Sequence, residues 1–134
     1  MRSWHDYQIV GYRVDGERDQ LFLELRWKEG TRVDVPQADL TFSGVSDYLL
    51  QHDLGGNIVF SIDESSIEEF VRENAEYFEG TKKWGWPRSW RGDAAKTIHH
   101  LQAAGKRVWL LSSSYGLRGW VVADDVQERA VSKV

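Results

Sequence analysis

The segment NIVFSIDESSIEEFVRENAEYF, residues 57–78, changes its hydrophobic period in its middle. In its first part Ile58, Phe60 and Ile62 are spaced two residues apart and so share one face, which is typical of a strand with one buried face. After two serines, apolar residues recur every three or four positions, which is typical of a helix. The serines are followed three residues later by two glutamates, a capping box, and Gly80 is placed to end the helix. This segment therefore predicts a strand that leads directly into a helix.

Alternating apolar residues before this segment predict further strands. Residues 7–14 and 21–27 should pair as a hairpin, because an Asp-Gly dipeptide between them suits a turn. Shorter strands are predicted over residues 31–35 and 39–42. The first half of the chain is therefore expected to form mainly sheet.

The second half predicts one more helix and two more strands. Asp93 is a candidate N-cap for a helix over residues 93–104, and Gly105 is its candidate terminator. Strands over residues 107–112 and 117–123 flank the sequence SSSYG and predict a second hairpin. Although LLSSSYG approximates the nucleophile elbow of serine hydrolases, a strand follows it where the elbow requires a helix.

Length and composition limit the fold class. The chain has 134 residues, of which 41% are apolar and 28% charged, values typical of one compact domain. The order of elements predicts an α+β fold, a single domain over residues 1–134 with a mainly antiparallel β-sheet and two α-helices. Residues 127–134 are expected to be a frayed tail.

The sequence also limits compartment and chemistry. Apolar runs reach only four residues, so no membrane span is predicted, and the N-terminus lacks the apolar stretch of a secretory signal. Cytoplasmic residence is the expectation. The chain has no cysteine, which excludes disulfides and thiolate metal sites. No cofactor is predicted.

Charge is unevenly distributed along the chain. Residues 1–80 hold 7 basic and 17 acidic side chains, whereas residues 81–107 hold 7 basic side chains against Asp93 alone. Such segregation affects encounter rates and partner choice rather than the fold. A protein partner is expected. A nucleic-acid partner is not, because the chain is acidic overall and carries no recognised nucleic-acid motif.

Residues 42–64, FSGVSDYLLQHDLGGNIVFSIDE, carry a spaced pattern of glycine, aromatic and acidic positions. The pattern resembles a family of small uncharacterised bacterial single-domain proteins with the core G-V-x-x-Y…D…G-N-I-x-F-x-I-x-E. The matching positions are Gly44, Val45, Tyr48, Asp53, Gly56, Asn57, Ile58, Phe60, Ile62 and Glu64. The resemblance implies a domain without an assigned activity, so no functional residue is carried over. By size, charge and origin it is analogous to immunity proteins, which block a toxin.

Residues 82–91, the tryptophan loop, place three indoles among basic side chains. The candidate binding residues are Trp84, Trp86, Arg88, Trp90 and Arg91. Aromatic rings interleaved with cations can stack on a ligand such as a sugar. Three indoles can also fasten an irregular segment to the body of a domain, because each buries about 200 Å². We interpret the loop as chiefly an anchor, with at least one indole partly exposed and the basic rim as the contact surface.

His52, Asp53, Asp63 and Glu64 form a second candidate group. A histidine with carboxylates could perform acid–base chemistry or hold a divalent ion. The same residues also suit a tight turn around DLGGN and the negative charge that a helix start favours, and this structural interpretation is preferred. No catalytic residue and no metal site are therefore predicted.

His99 and His100 are adjacent in the second predicted helix. Their side chains diverge by about 100°, which disfavours a shared metal ion. We expect His100 to face solvent and His99 to flank the core.

The sequence favours a non-catalytic module that binds or inhibits another protein. One such module is an immunity-type protein whose acidic half meets a basic partner. The first alternative is a binder of small ligands or carbohydrate at the tryptophan loop. The second is a hydrolase or nuclease that uses His52 and Asp53. The sequence does not set the oligomeric state.

Overall fold

A computed structural model describes residues 3–27 and 37–131 and shows a single α+β domain, as predicted. Within these residues one eight-stranded antiparallel sheet is accompanied by two α-helices and a short 3-10 helix. The elements are β1 Gln8–Asp15, β2 Gln20–Arg26, β3 Ala38–Ser43, β4 Asp47–Gln51, β5 Asn57–Ser65, α1 Ile67–Thr81, the 3-10 helix Lys82–Trp84, α2 Ala94–Ala103, β6 Arg107–Tyr115, β7 Arg118–Ala123 and β8 Asp125–Ala130. Both predicted hairpins, β1–β2 and β6–β7, are present.

The sheet is rolled, because strands at its opposite ends are joined by very short links. The strand order is β4-β7-β6-β5-β1-β2-β3-β8. Only three residues separate β3 from β4, and Asp124 alone separates β7 from β8. The backbone amide of Asp124 donates to Ser43 O at 2.9 Å, and that of Ser46 donates to Val122 O at 2.9 Å. The two ends of the sheet therefore meet at a corner beside Gly44.

Apolar side chains form two cores on the two faces of the rolled sheet. Inward-facing residues, such as Trp109 and Val121, fill the interior of the roll. Their neighbours, such as Val108 and Trp120, point outward and pack under α1 and α2. This alternation follows from the two-residue period of a strand, and it explains why β7 is buried on both faces.

The helix start was predicted correctly, but its end was not. Ser66 Oγ accepts a hydrogen bond from the Glu69 amide at 3.2 Å, so the predicted cap is confirmed. Helix α1 does not end at Gly80. It continues to Thr81 and through the 3-10 helix, and the chain leaves the helical conformation at Gly85, where φ is 73°. A left-handed residue ends a helix, and it is Gly85 that adopts that conformation. Asp93 caps α2 as predicted.

The C-terminal segment is a strand, so the prediction of a frayed tail over residues 127–134 was wrong for its described part. Strand β8 pairs with all six residues of β3, from Ala38↔Ala130 to Ser43↔Asp125. Its side chains are mostly exposed and polar, so the segment is held by main-chain pairing and shows no apolar alternation. Strand β4 was not predicted. The strand predicted over residues 31–35 lies outside the described residues.

The α-helices of the described region are α1, with 15 residues, and α2, with 10. Neither has the length and apolar character needed to cross a membrane.

Candidate functional site

A slot of about 590 Å³ lies between the tip of the β1–β2 hairpin and residues 45–50. We call it the β4 slot, because residues 47–50 of its lining belong to β4. Trp86 and Arg88 of the tryptophan loop also line it, as do Val14, Asp15, Gly16, Asp19 and Gln20 of the hairpin. It thus joins three parts of the chain that are far apart in sequence.

The slot follows the edge of β4 rather than one of its faces. All six consecutive residues 45–50 line it, whereas a cavity over one face of a strand would be lined by every second residue. Strand β4 is the first strand in the sheet order, and within the described residues its only strand neighbour is β7. The slot therefore gives access to main-chain groups of an edge strand.

Part of the apolar lining comes from side chains that face into the roll. Tyr48 is opposite Val121 in the β4–β7 register, and Val14 is opposite Leu21 in the β1–β2 register. Val121 and Leu21 are core residues, yet Tyr48 is 37% and Val14 40% exposed. Since opposite residues of an antiparallel pair face the same way, the roll is open where Tyr48 and Val14 lie.

The carboxylate of Asp47 attaches the tryptophan loop to β4. Asp47 is buried and accepts hydrogen bonds from the backbone amides of Arg88 at 2.6 Å and Ser89 at 3.1 Å, and from Ser89 Oγ. The Trp90 amide donates to Pro87 O at 3.1 Å and closes a turn. Residues 87–90 are therefore fixed at the start of β4.

Two of the three loop indoles are anchors and one is exposed. Trp86 stacks on Trp120, with ring centroids 5.6 Å apart, and contacts Phe78 edge to face. Trp90 also contacts the Phe78 ring, and its Nε1 donates to Glu79 at 3.1 Å. Trp84 is 77% exposed. This burial agrees with an anchoring loop that leaves one indole in solvent.

The arginines of the loop bind backbone carbonyls. Arg88 Nε donates to Ser46 O at 3.1 Å. Arg91 Nη1 donates to Arg88 O at 2.7 Å, and its Nη2 lies 2.9 Å from Nε2 of His100. Neither guanidinium is in an ion pair with a carboxylate among residues 3–27 and 37–131. Since His100 is half-buried beside Arg91 and His99 is exposed, the predicted orientations of the two histidines were wrong.

Most other cations of residues 81–107 are paired with acids from elsewhere in the fold or from their own helix. The pairs are Lys82 with Glu79, Lys96 with Asp93, Lys106 with Asp124, and Arg107 with both Glu64 and Asp125. The charge segregation seen along the sequence is thus partly cancelled in space. Arg88 and Arg91, together with Lys83, have no carboxylate partner among the described residues.

The structure does not bring the second candidate group together. Asp53 Oδ1 accepts from Gly55 N and Asn57 Nδ2, both at 2.9 Å, and these bonds lower the pKa of its carboxyl, Asn57 contributing most. Glu64 lies seven residues further along β5 than Asn57, about 23 Å at the usual rise of a strand. His52 precedes β5 and Asp63 lies near the C-terminal end of that strand, and both side chains are exposed.

Glu64 has a structural partner instead. Arg107 donates to it from Nη2 at 2.7 Å and from Nε at 3.0 Å, which lowers the pKa of the Glu64 carboxyl. Among the residues that the structure describes, no group of three or more histidines and carboxylates could hold a metal ion.

Sequence reasoning found Trp86 and Arg88 but missed the rest of the slot. Asp47 and Tyr48 lie in a five-residue strand, too short for its period to show. A usable signal was the pair Asp15-Gly16, which located the hairpin tip that forms one wall. Comparison with protein-family models, with curated proteins and with solved structures finds no match to this chain.

Proposed function

We propose that this protein is a non-catalytic protein-binding module that holds an extended segment of its partner in the β4 slot. The observation that supports the proposal is the lining of the slot by six consecutive residues along a strand with one neighbour. An extended peptide can add to such an edge, where main-chain hydrogen bonds provide affinity and alternate side chains provide specificity. An immunity-type inhibitor is one protein class within this proposal.

The slot offers apolar contacts as well as main-chain groups. Tyr48, Val14 and Trp86 line it, and aromatic residues are over-represented among those that dominate binding energy in protein interfaces. Trp86 is held by its stacking on Trp120, so a partner would meet a ring that is already in place. Preorganisation of this kind reduces the entropy lost on binding.

The two edge strands of the sheet differ in a way that favours β4 as the docking edge. Strand β8, at the other end of the strand order, carries Asp125, Glu128 and Arg129. Charged residues on an edge strand discourage pairing with another chain. The one charged residue of β4 is Asp47, whose carboxylate is occupied by the tryptophan loop. Strand β4 therefore lacks this protection.

Helix α1 supplies the acidic surface expected for a basic partner. Glu69, Glu73 and Glu76 occupy positions i, i+4 and i+7, so they share one side of the helix, and all three are exposed. None of them is in an ion pair among the described residues. Such a stripe accelerates the approach of a positively charged protein, an effect that high salt removes.

The proposal is tested with a library of displayed peptides selected on the purified protein. For a selected peptide, each backbone amide is N-methylated in turn and the Kd is measured by fluorescence anisotropy. We expect the loss of affinity to recur at every second residue, because alternate amides of an added strand donate to its neighbour. Tyr48→Lys should weaken binding at least tenfold, because it replaces an aromatic contact of the slot with a charge on the edge strand. The matched control Tyr115→Lys alters an exposed tyrosine outside the slot.

Two results would count against strand addition at β4. One is a selection that yields no peptide specific for the folded protein. The other is a selected peptide whose N-methylation profile has no two-residue period and whose affinity is unaffected by Tyr48→Lys.

A second candidate is the binding of a small ligand or carbohydrate in the same slot. Its volume of about 590 Å³ is within the range of small-molecule sites, and Trp86 supplies an aromatic face for stacking. Titration of tryptophan fluorescence with sugar and metabolite panels tests this candidate. A saturable change that Trp86→Leu abolishes would favour it over a peptide.

A further inference from the structure

A second pocket, of about 400 Å³, adjoins the β4 slot at the start of β4. We call it the arginine pocket. Arg88, Ser46, Val45 and Asp19 line both cavities, so a ligand in the slot can reach the pocket directly. The other charged or titratable residues that line the arginine pocket are Arg91, His100, Lys106 and Asp124.

The charges around the arginine pocket leave a positive excess at Arg88 and Arg91. Lys106 Nζ lies 2.9 Å from Asp124 Oδ1 and donates to Gly44 O at 2.6 Å, so Lys106 and Asp124 compensate each other. Asp19 is the remaining acid of the lining, which therefore holds three cations against two acids. The buried carboxylate of Asp47 lies close by, where it accepts from the Arg88 and Ser89 amides. The positive excess is thus local to the guanidinium groups of Arg88 and Arg91, where an anion can bind.

Arg88 presents an unused fork of donors. Its Nε is bonded to Ser46 O, and within the described residues its two terminal nitrogens have no hydrogen-bond partner. The position of Arg88 is also fixed through its backbone amide, which donates to Asp47. A planar fork of this kind matches a carboxylate in a bidentate arrangement.

The direction of β4 determines which end of an added peptide meets this fork. Strand β4 runs from Asp47, beside Arg88, to Gln51. All strand pairs described in this sheet are antiparallel. A peptide that adds in the same manner runs from Gln51 towards Asp47, so its C-terminal end arrives at Arg88. A parallel peptide would bring its positively charged N-terminus to the two guanidinium groups.

The edge that accepts a peptide stops at the same place. The Val45 amide donates to Asp19 O at 2.8 Å, and Ser43 is paired with Gln20 of β2. The β1–β2 hairpin therefore occupies this edge at Val45 and at the residues that precede it. A chain that lies along β4 can continue as a strand no further than Ser46, which suits a chain that ends there.

We infer that the partner segment is the C-terminus of a protein, added antiparallel to β4, with its terminal carboxylate bound by Arg88 and supported by Arg91. This inference rests on the proposed function, because it assumes a peptide in the β4 slot. It adds the direction of the peptide and the chemistry of its end.

The test uses a peptide library displayed with free C-termini, selected on the full-length protein. The selected peptide is synthesised as the free acid and as the C-terminal amide, and the two Kd values are compared. We expect the acid to bind at least about tenfold more tightly, because amidation removes a charge-assisted pair. Arg88→Met should abolish this preference, and Arg88→Lys should reduce it, because lysine keeps the charge but loses the fork. Lys83→Met, a change of an exposed cation outside both cavities, should leave the preference unchanged.

Each other result identifies what is wrong. If peptides bind with the two-residue methylation profile but acid and amide bind equally, the proposed function stands and the inference about the C-terminus is overturned. If the acid preference survives in Arg88→Met, the assignment to Arg88 is overturned. If no peptide binds, both proposals fail. Arg88→Met retains the backbone amide that Asp47 holds, and a urea unfolding curve confirms that the variant is folded.

Discussion

The carboxylate of Asp47, at the first position of β4, accepts a hydrogen bond from the backbone amide of Arg88, 41 residues later in the chain, at 2.6 Å. This contact joins an edge strand to an irregular loop. It also places the Arg88 side chain at the junction of the β4 slot and the arginine pocket. Both the shape and the charge of the candidate site depend on it.

Asp47→Ala should therefore weaken the fold and the site together. The substitution leaves the buried donors of Ser89 and the Arg88 amide without their acceptor. Unpaired buried donors cost about 1–3 kcal/mol each, so we expect a loss of about 3 kcal/mol in the free energy of unfolding. Urea denaturation measures it. Asp63→Ala, at an exposed position of β5, is the control and should change stability by less than about 0.5 kcal/mol.

Gly119→Ala should displace β4 from β7. A Cβ at Gly119 would overlap the carbonyl oxygen of Leu49 in the neighbouring strand, so the two backbones would have to separate. We expect a loss of more than about 2 kcal/mol in unfolding free energy and the loss of peptide binding in the slot. Faster amide hydrogen exchange confined to β4 and β7 would identify the displaced strands.

Gly80→Ala is the matched control for the Gly119→Ala variant. Nothing lies within 4 Å of a Cβ at this position, and the residue is inside α1. Alanine should therefore stabilise the protein by about 0.5–1 kcal/mol. A destabilised Gly80→Ala variant would show that α1 ends at Gly80 after all.

Asn57→Ala should destabilise the turn that precedes β5. The buried Asn57 side chain accepts from Leu54 N at 3.1 Å and Leu117 N at 2.9 Å, and donates to Asp53. Its removal leaves the Leu117 amide buried and unpaired, which costs about 2 kcal/mol. Thermal and urea unfolding measure the change. Gln102→Ala, on the exposed side of α2, should be nearly neutral.

The loop indoles should differ in their contribution to stability. Trp86→Ala removes the stacking on Trp120 and the contact with Phe78, and we expect a cost of about 2 kcal/mol, below the 3–5 kcal/mol of a fully buried ring. Trp84→Ala should change stability by less than about 0.5 kcal/mol, because that indole is exposed. Equal costs for the two substitutions would contradict the assignment of anchor and exposed ring.

The ion pair between Glu64 and Arg107 should give the protein a small acid-sensitive component of stability. Arg107 lowers the pKa of Glu64 from its ordinary value of 4.5. A carboxyl whose pKa is lower in the folded state stabilises the fold above the unfolded pKa, and this stabilisation is lost as the pH falls through the folded value. Glu64→Gln should therefore be less stable than the natural protein at pH 7, and the difference should shrink as the pH falls below 4.5.

The magnitude of that difference should be less than about 1 kcal/mol, because both side chains are half-exposed and solvent screens the pair. Urea unfolding at several pH values measures it. A difference that stays constant from pH 7 to pH 3 would show that Glu64 acts through something other than its charge.

Elements specified by local chemistry could be predicted from the sequence. Helix α1 has its cap at Ser66 and acids in its first turn, and α2 has its cap at Asp93. Strand β2 buries Leu21, Leu23 and Leu25, so its two-residue period is visible. These features depend on neighbours within a few positions of the chain, and the order of elements was sufficient to indicate an α+β domain. In β5 the predicted shared face of Ile58, Phe60 and Ile62 was wrong, because register shifts around Val59 leave Val59 and Ile62 buried and Phe60 57% exposed.

Strands β4 and β8 could not be predicted because their pairing, rather than their burial pattern, defines them. Strand β8 has one partly buried apolar residue in contact with the core, Val126, and is held by its ladder with β3. Strand β4 has five residues, and its exposed inward-facing tyrosine conceals the alternation. A sequence pattern reports burial, so it misses strands that lie at open edges.

The sequence alone determines a single α+β domain with two capped helices, a sheet whose strands alternate apolar and polar residues, and a loop fastened by tryptophans. These features follow from periodicity and local hydrogen bonding. The place where a partner would bind depends on tertiary structure. Residues of the β1–β2 tip, β4 and the tryptophan loop meet only because the sheet rolls at Gly44 and Asp47 accepts bonds from residues more than 40 positions away. Contacts at such sequence separation arise from the packing of the whole chain.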